Sequence, residues 1–276
     1  MIRSKRPKIG LALGSGGSKG LAHIGIIKVL EKNNIPIDFI AGSSIGAMVG
    51  GFYATGLNIK RIEEIALDTS WRDLISLIDP HLKQGLIGGE KVKTFIDKYI
   101  NGKQFKDCKI PFIAVATDLK TGDIVVLNKG DLSSAIRASI SIPLVFKPIE
   151  LNNRVLVDGG LSAPVPVEIV RKMGADLVIA VNLDKHYHDG DWKPGWYDVM
   201  NDSLSILRHH LATSNVSTAD MAIDVNIDTY WYQFTNGQDK ISAGEKAMEK
   251  TLPQLKELIY QKTNSGLKKY FKFFSE

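Results

Sequence analysis

The segment Gly42-Ser43-Ser44-Ile45-Gly46 constrains this chain more than any other. It follows Phe39-Ile40-Ala41, an apolar run with strand character, and opens a stretch from Ser44 to Tyr53 that reads as a helix. A strand that passes into a helix with so little chain between them must turn sharply. Small residues at Gly42, Gly46 and Ala47 let the two elements pass close together. In that setting Gly-x-Ser-x-Gly holds its central serine at the tip of a strained turn with the hydroxyl exposed. The spacing selects Ser44, not Ser43, as the candidate nucleophile. An incidental strand-to-helix turn is the competing reading.

A second glycine-rich loop lies upstream. Ile9-Gly10-Leu11-Ala12-Leu13 reads as a short buried strand, and a helix is expected from about Lys19 to Asn33, where Asn33-Asn34 and Pro36 end it. Between them runs Gly14-Ser15-Gly16-Gly17-Ser18-Lys19-Gly20. Backbone N–H groups at such a helix start are free to meet negative charge, and glycine lets the backbone approach a ligand. A dinucleotide fingerprint does not fit. Starting at Gly14 it would need glycine where Lys19 stands, and Ala41-Gly42 ends the second strand where an acidic residue is required. A phosphate loop needs Gly-Lys followed by Ser or Thr, and Ser18-Lys19-Gly20 fails that test. An oxyanion hole remains, beside the plain alternative of a tight turn.

The rest of the chain repeats this alternation of strands and helices. Residues 58–100 read as mostly helical, with an apolar stripe around Trp71. Strands are expected at Phe112–Ala116, Ile124–Leu127, Val145–Leu151, Val155–Val157 and Leu177–Val181, and helices at Leu132–Ser139 and Val167–Met173. Lys120-Thr121-Gly122-Asp123 and Asn152-Asn153 each separate two strand-like runs and predict hairpins. Two long helical patterns, about Val199–Ala222 and Ala243–Lys262, close the chain around a strand near Ile223–Ile227. The pattern predicts an α/β fold, with helices covering a mixed, mostly parallel sheet. No repeat or linker interrupts it. One domain over 1–276 is expected, with its core at 8–184 and a helical region at 198–276 packing on that core or extending it.

A serine nucleophile needs a group to take its proton. His186 and His188 sit in a hydrophilic loop with Asp189 and Asp191, and His209-His210 lie on a helical stretch; His23 and His81 complete the set. None is marked by its surroundings, and the His186–Asp191 cluster is a weak metal candidate. Asp158 is better placed, because Val155-Leu156-Val157 is a strand and Gly159-Gly160 lets the chain turn at once after the carboxylate. A free Asp is a weaker base than His by about 2.6 pK units, roughly 3.5 kcal/mol. One good oxyanion donor supplies about 3–4 kcal/mol, so two donors and partial burial of the carboxylate offset the deficit. An ordinary turn aspartate is the alternative.

Composition supplies the setting. A hydrophobic content of 44% with 24% charged residues is that of a globular protein, and the longest apolar runs stop well short of the ~20 residues of a membrane span. The basic N-terminus lacks the apolar core of a secretory signal, and the single cysteine, Cys108, suits a reducing compartment. A cytoplasmic location, peripheral to a membrane at most, is the expectation. The net charge of +5 suits anionic partners such as lipid head groups, and no basic stripe interleaved with aromatics suggests nucleic acid before the last ten residues. There, Leu267, Tyr270, Phe271 and Phe274 fall at helical spacing among Lys268, Lys269 and Lys272. Such a stretch can lie on an anionic bilayer or dock on the protein itself. The loop carrying Trp192, Trp196 and Tyr197 leaves the same choice.

Taken together, these motifs resemble the patatin-like phospholipase family, in particular its bacterial branch related to neuropathy target esterase. The resemblance covers about residues 8–184. It rests on the glycine loop, Gly42–Gly46, Asp158-Gly159-Gly160, the run Ala116-Thr117-Asp118-Leu119-x-Thr121-Gly122, and Ala135-Ile136-Arg137-Ala138-Ser139-x-Ser141-Ile142-Pro143. It implies a three-layer α/β/α sandwich, a Ser44–Asp158 dyad without histidine, an oxyanion hole from the backbone of Gly16 and Gly17, and Lys19 as the basic residue that meets a substrate phosphate. It also implies an acyl-enzyme mechanism on phospholipid, lysophospholipid or other esters, with no cofactor and no metal. One departure stands out: Ser15 occupies the first glycine position of the family's Gly-x-Gly-x-x-Gly, whose last is Gly20. Two other functions stay open, a Ser-His-Asp esterase and a non-catalytic lipid-binding regulator on the same fold.

Overall fold

The computed structural model describes residues 6–68, 89–184 and 195–273, with side chains as far as residue 264 except at 197 and 198. The Trp71 stripe, His81, the His186–Asp191 cluster, Trp192 and the side chains of Tyr197 and of the basic-aromatic tail lie outside what is described. Eight strands form one sheet among these residues: β1 (Ile9–Leu13), β2 (Phe39–Ser43), β3 (Phe112–Asp118), β4 (Ile124–Leu127), β5 (Ile149–Leu151), β6 (Arg154–Asp158), β7 (Leu177–Asn182) and β8 (Met221–Asp224). The order is β5-β6-β3-β2-β1-β7-β8, with β4 also paired to β3. Pairings among β3, β2, β1, β7 and β8 are parallel, whereas β4, β5 and β6 join antiparallel. The sheet is mixed and mostly parallel, as the alternating pattern predicts.

The helices are α1 (Ala22–Lys32), α2 (Ile45–Ala54), α3 (Ile59–Leu67), α4 (Glu90–Ile100), α5 (Leu132–Ser139), α6 (Val167–Lys172), α7 (Trp196–Val216) and α8 (Gly237–Phe273). Side-chain alternation along the strands sorts them onto two faces. Large residues of β1 and β7 (Leu11, Leu13, Ile179 and Val181) share a core with Ile24 and Ile27 of α1 and with Ile241, Met248 and Leu255 of α8. Small residues (Ala12, Ala41 and Ala180) face the other way, against Val167 and Val170 of α6 and Ala212 of α7. Gly10 lies on that thinner side, where a Cβ would come within 2.2 Å of Val170. Both faces of a mostly parallel sheet are thus covered.

Both predicted hairpins form. Asn152 and Asn153 have φ of 53° and 61°, the left-handed pair that a two-residue turn between β5 and β6 demands. Three expectations need correction. The strand expected over Val145–Leu151 shrinks to β5, because Leu144 is left-handed at φ 68° and Pro148 has no N–H to give a ladder. The helix expected to reach Ala222 ends at Val216, and β8 begins at Met221, earlier than the expected Ile223, because its pairing with β7 sets Met221 opposite Ile179. The last helix is longer than expected, running from Gly237 to Phe273 with Pro253 inside it.

Candidate active site

The register on β3 brings the two halves of the site together. Ser43, at the end of β2, lies opposite Val115, while Asp158, at the end of β6, lies opposite the next residue, Ala116. Residues 114 positions apart in sequence therefore meet at neighbouring positions of one strand, and the Ser44 hydroxyl donates to Asp158 Oδ2 at 2.6 Å.

Ser44 occupies a conformation that side-chain-bearing residues rarely adopt, φ 54° and ψ −125°. Its amide donates to the Ser139 hydroxyl at 2.9 Å, and Ser139 in turn donates to the Val115 carbonyl at 2.6 Å. Ser139 thus secures the tip of the turn from α5. Nothing in the sequence marks this role, because serine near a helix end carries no special signal. A Cβ on Gly42 would lie 2.3 Å from the Gly46 carbonyl oxygen and 2.5 Å from the Ala47 nitrogen, all backbone that cannot swing aside. Gly42→Ala is expected to cost about 3 kcal/mol of stability, the upper end for overpacking. An unchanged urea midpoint would contradict that close approach.

Asp158 is buried, 6% exposed, and both its oxygens are engaged: Oδ2 by Ser44 and Oδ1 by the Gly160 amide at 2.7 Å. Burial pushes its carboxyl up from 3.8 to about 6, against the opposing pull of the Ser44 and Gly160 hydrogen bonds. Its own amide donates to the Ser141 carbonyl, and Arg137 donates to the Ser141 hydroxyl at 2.6 Å, so the Ala135–Pro143 motif acts as scaffold behind the carboxylate.

The glycine loop begins as predicted but enters α1 through a 3-10 turn over Gly17–Leu21. Amides of Gly14, Ser15, Ser18 and Lys19 each donate to a carbonyl, whereas those of Gly16 and Gly17 donate to no group among the described residues. Gly16 and Gly17 have φ of 150° and 56°, and a Cβ on Gly17 would meet the Trp231 carbonyl at 2.4 Å, so glycine is needed at the position. Beneath the loop, buried His23 donates from Nε2 to the Gly14 carbonyl at 2.8 Å. Burial pushes this imidazole down to about 4, so it stays neutral near pH 7.

Ser44, Asp158, Gly16 and Gly17 line one open cleft, whose walls include Leu144, Leu161, Leu204 and Trp231. Lys19 lines an adjoining open pocket with Asp184, Arg208 and His209. Burial holds its ammonium below the usual lysine range. Gly16, Asn201, Arg208 and Trp231 belong to both. Among the described residues no histidine hydrogen-bonds Ser44 or Asp158; His209 is tied to the Asp184 carbonyl instead. No group of His, Cys, Asp and Glu among them is arranged to hold a metal ion.

A patatin-like phospholipase family model matches residues 11–171, more than half of the chain, from within β1 to within α6. The chain belongs to that family. Among curated proteins this patatin-like chain is 41% identical over 182 residues to an uncharacterized NTE family protein of Mycobacterium tuberculosis, covering 66% of the chain and 50% of the relative. It is 30% identical to the human patatin-like phospholipase domain-containing protein 6 over 68% of the chain and 14% of the relative. With lysophospholipase NTE1 of Candida albicans it shares 34% identity over 63% of the chain and 13% of the relative. The chain thus spans half the length of its mycobacterial relative and about a seventh of the longer ones. VipD from Legionella pneumophila has a similar fold, with a TM-score of 0.54, 14% identity and coverage of 90% of this chain and 67% of that one. None of the described helices is long and apolar enough to cross a membrane.

Proposed function

We propose that this chain is a serine hydrolase that cleaves acyl esters of phospholipids or lysophospholipids. The observation that carries the reading is the 2.6 Å hydrogen bond from the Ser44 hydroxyl to a buried carboxylate, beside two loop amides that donate to no group among the described residues. Ser44 Oγ attacks the ester carbonyl and Asp158 takes its proton. The amides of Gly16 and Gly17 receive the negative oxygen of the tetrahedral intermediate. Collapse breaks the ester C–O bond, and the proton held by Asp158 passes to the leaving alcohol or lysolipid. Water then adds to the acyl-enzyme with Asp158 again as base, freeing the fatty acid.

The raised pKa of Asp158 suits this role, since a base near 6 is stronger than an ordinary aspartate yet ionised at neutral pH. The apolar walls at Leu144, Leu161 and Leu204 suit an acyl chain. Membership in the patatin-like family and the lysophospholipase among its relatives favour lipid esters over other acyl esters. Transient contact with an anionic membrane through the C-terminal basic-aromatic stretch belongs to the same reading.

Only the ionised Asp158 accepts a proton, so kcat/KM for a soluble ester is expected to rise about tenfold per pH unit below about 6 and level off above it. A profile flat from about pH 4.5 to 8 would contradict Asp158 as the base. Fatty-acid release from lysophosphatidylcholine micelles and from diacyl phosphatidylcholine vesicles tests the substrate class. Release from either, lost in Ser44→Ala, supports a lipid acyl hydrolase. Hydrolysis of short soluble esters with none from either lipid overturns it.

A further inference from the structure

Ser15 stands where the family pattern has glycine, and its side chain is engaged. The Ser15 hydroxyl donates to Asp184 Oδ2 at 3.2 Å, while its amide donates to the Pro164 carbonyl at 2.8 Å. Asp184, just beyond β7, is 6% exposed, and its carboxylate is gripped by Arg208 of α7: Nε lies 3.0 Å from each oxygen and Nη2 3.0 Å from Oδ1. The backbone of Asp184 is fixed as well, because its amide donates to Asn182 Oδ1 at 3.0 Å and its carbonyl accepts from His209 Nδ1. On its other side Ser15 abuts Gly160, where a Cβ would come within 3.1 Å of Ser15 Cβ and Oγ. The Gly160 amide is the one that holds Asp158 Oδ1. One hydroxyl therefore sits between the clamp on the Asp158 carboxylate and the amide of Gly16.

We infer that the Asp184–Arg208 ion pair, acting through the Ser15 hydroxyl, is a positioning device for the glycine loop, so that α7 takes part in setting the oxyanion geometry. A buried ion pair is a poor source of stability, since desolvation cancels much of the attraction, but its forked geometry fixes direction. The Arg208 guanidinium cannot pivot while Nε and Nη2 both meet Asp184, and the Asp184 carboxylate in turn points one oxygen at Ser15. Asp184 and Arg208 both lie beyond residue 171, where the family match ends. A second tie runs in parallel: Asn201, also on α7, accepts from Trp231 Nε1 at 2.8 Å, and the Trp231 carbonyl receives the Ser18 amide at 2.6 Å. The C-terminal region thus grips the loop on both sides of Gly16 and Gly17. The inference rests on Ser44 as nucleophile and on those amides as its oxyanion donors.

The test compares Ser15→Ala, Arg208→Lys and the double variant with the parent on a short soluble ester, which has no head group to reach Arg208. Rates of labelling by a fluorophosphonate probe, which needs the same donors, are followed in parallel. Each single variant is expected to lose roughly tenfold in kcat and in labelling rate, with KM within about twofold, as a misplaced donor does. The double variant is expected to fall no further than the worse single one, because residues in one network are not additive. Values of kcat within about twofold of the parent in Ser15→Ala, or losses that multiply in the double variant, overturn the inference. Ser15→Ala removes a single hydroxyl, so it decides the matter even if Arg208→Lys fails to fold. If the parent itself is not labelled at Ser44, the hydrolase reading fails first.

Discussion

Asp158→Asn is expected to cripple catalysis and yet make the protein more stable at alkaline pH. The amide cannot take the Ser44 proton, so kcat should fall about a thousandfold, within the range that loss of a general base produces. Stability moves the other way for a reason visible at the site. Burial raises the carboxyl from 3.8 to about 6, so the native state holds that proton more tightly than the unfolded chain does. The favourable contribution is complete below about pH 4 and is lost as pH rises through about 6, which leaves the ionised, functional form carrying a cost of about 3 kcal/mol. Asparagine is isosteric and uncharged, can accept from Gly160 through its oxygen, and can donate to Ser44. A gain of roughly 1–3 kcal/mol, several degrees in Tm, is expected at about pH 8 and should shrink toward pH 4. Thermal unfolding of both proteins across that range reads it directly. A lower Tm for the variant at every pH would mean that the carboxylate is a structural group, its burial already compensated.

Ser44→Ala should have the larger effect on activity with little effect on the fold. Without the hydroxyl there is no acyl-enzyme, and ester hydrolysis is expected to drop by at least about a thousandfold, to whatever the cleft and its amides can do for water alone. Alanine keeps the strain at φ 54° but removes the hydrogen bond to the buried Asp158 carboxylate, so a loss of about 1–2 kcal/mol is expected at neutral pH, with the fold intact. Ser44→Gly adds a control. Glycine adopts that conformation without a Cβ penalty, so it should be as inactive as alanine but more stable by about 1 kcal/mol. Activity in either variant within about tenfold of the parent would remove Ser44 from the mechanism.

The parts of the site that could be read in the sequence are those in which chain direction and residue type coincide. Gly42–Gly46 and Asp158–Gly160 each pair a candidate catalytic side chain with the glycines that let a strand end abruptly, and the structure brings Ser44 and Asp158 into contact. The sheet was legible for a related reason, because its central strands are short apolar runs set between turn signals. What stayed hidden depends on partners. Ser139, His23, Asp184 and Arg208 look like ordinary residues of a helix end, a helix interior, a strand end and a long helix. Their meaning lies in a carbonyl, an amide or a hydroxyl that only folding brings within reach. The misplaced boundaries have the same origin: Pro148 denies β5 an earlier start, and β8 begins where β7 offers it a register.

Locating the covalent adduct after reaction with a fluorophosphonate probe tests the central claim most directly. The parent protein is labelled, digested and read by tandem mass spectrometry. One added mass is expected, on the peptide carrying Ser44, absent from Ser44→Ala and formed far more slowly in Asp158→Asn. An adduct on any other residue, or undiminished labelling of Ser44→Ala, would contradict it.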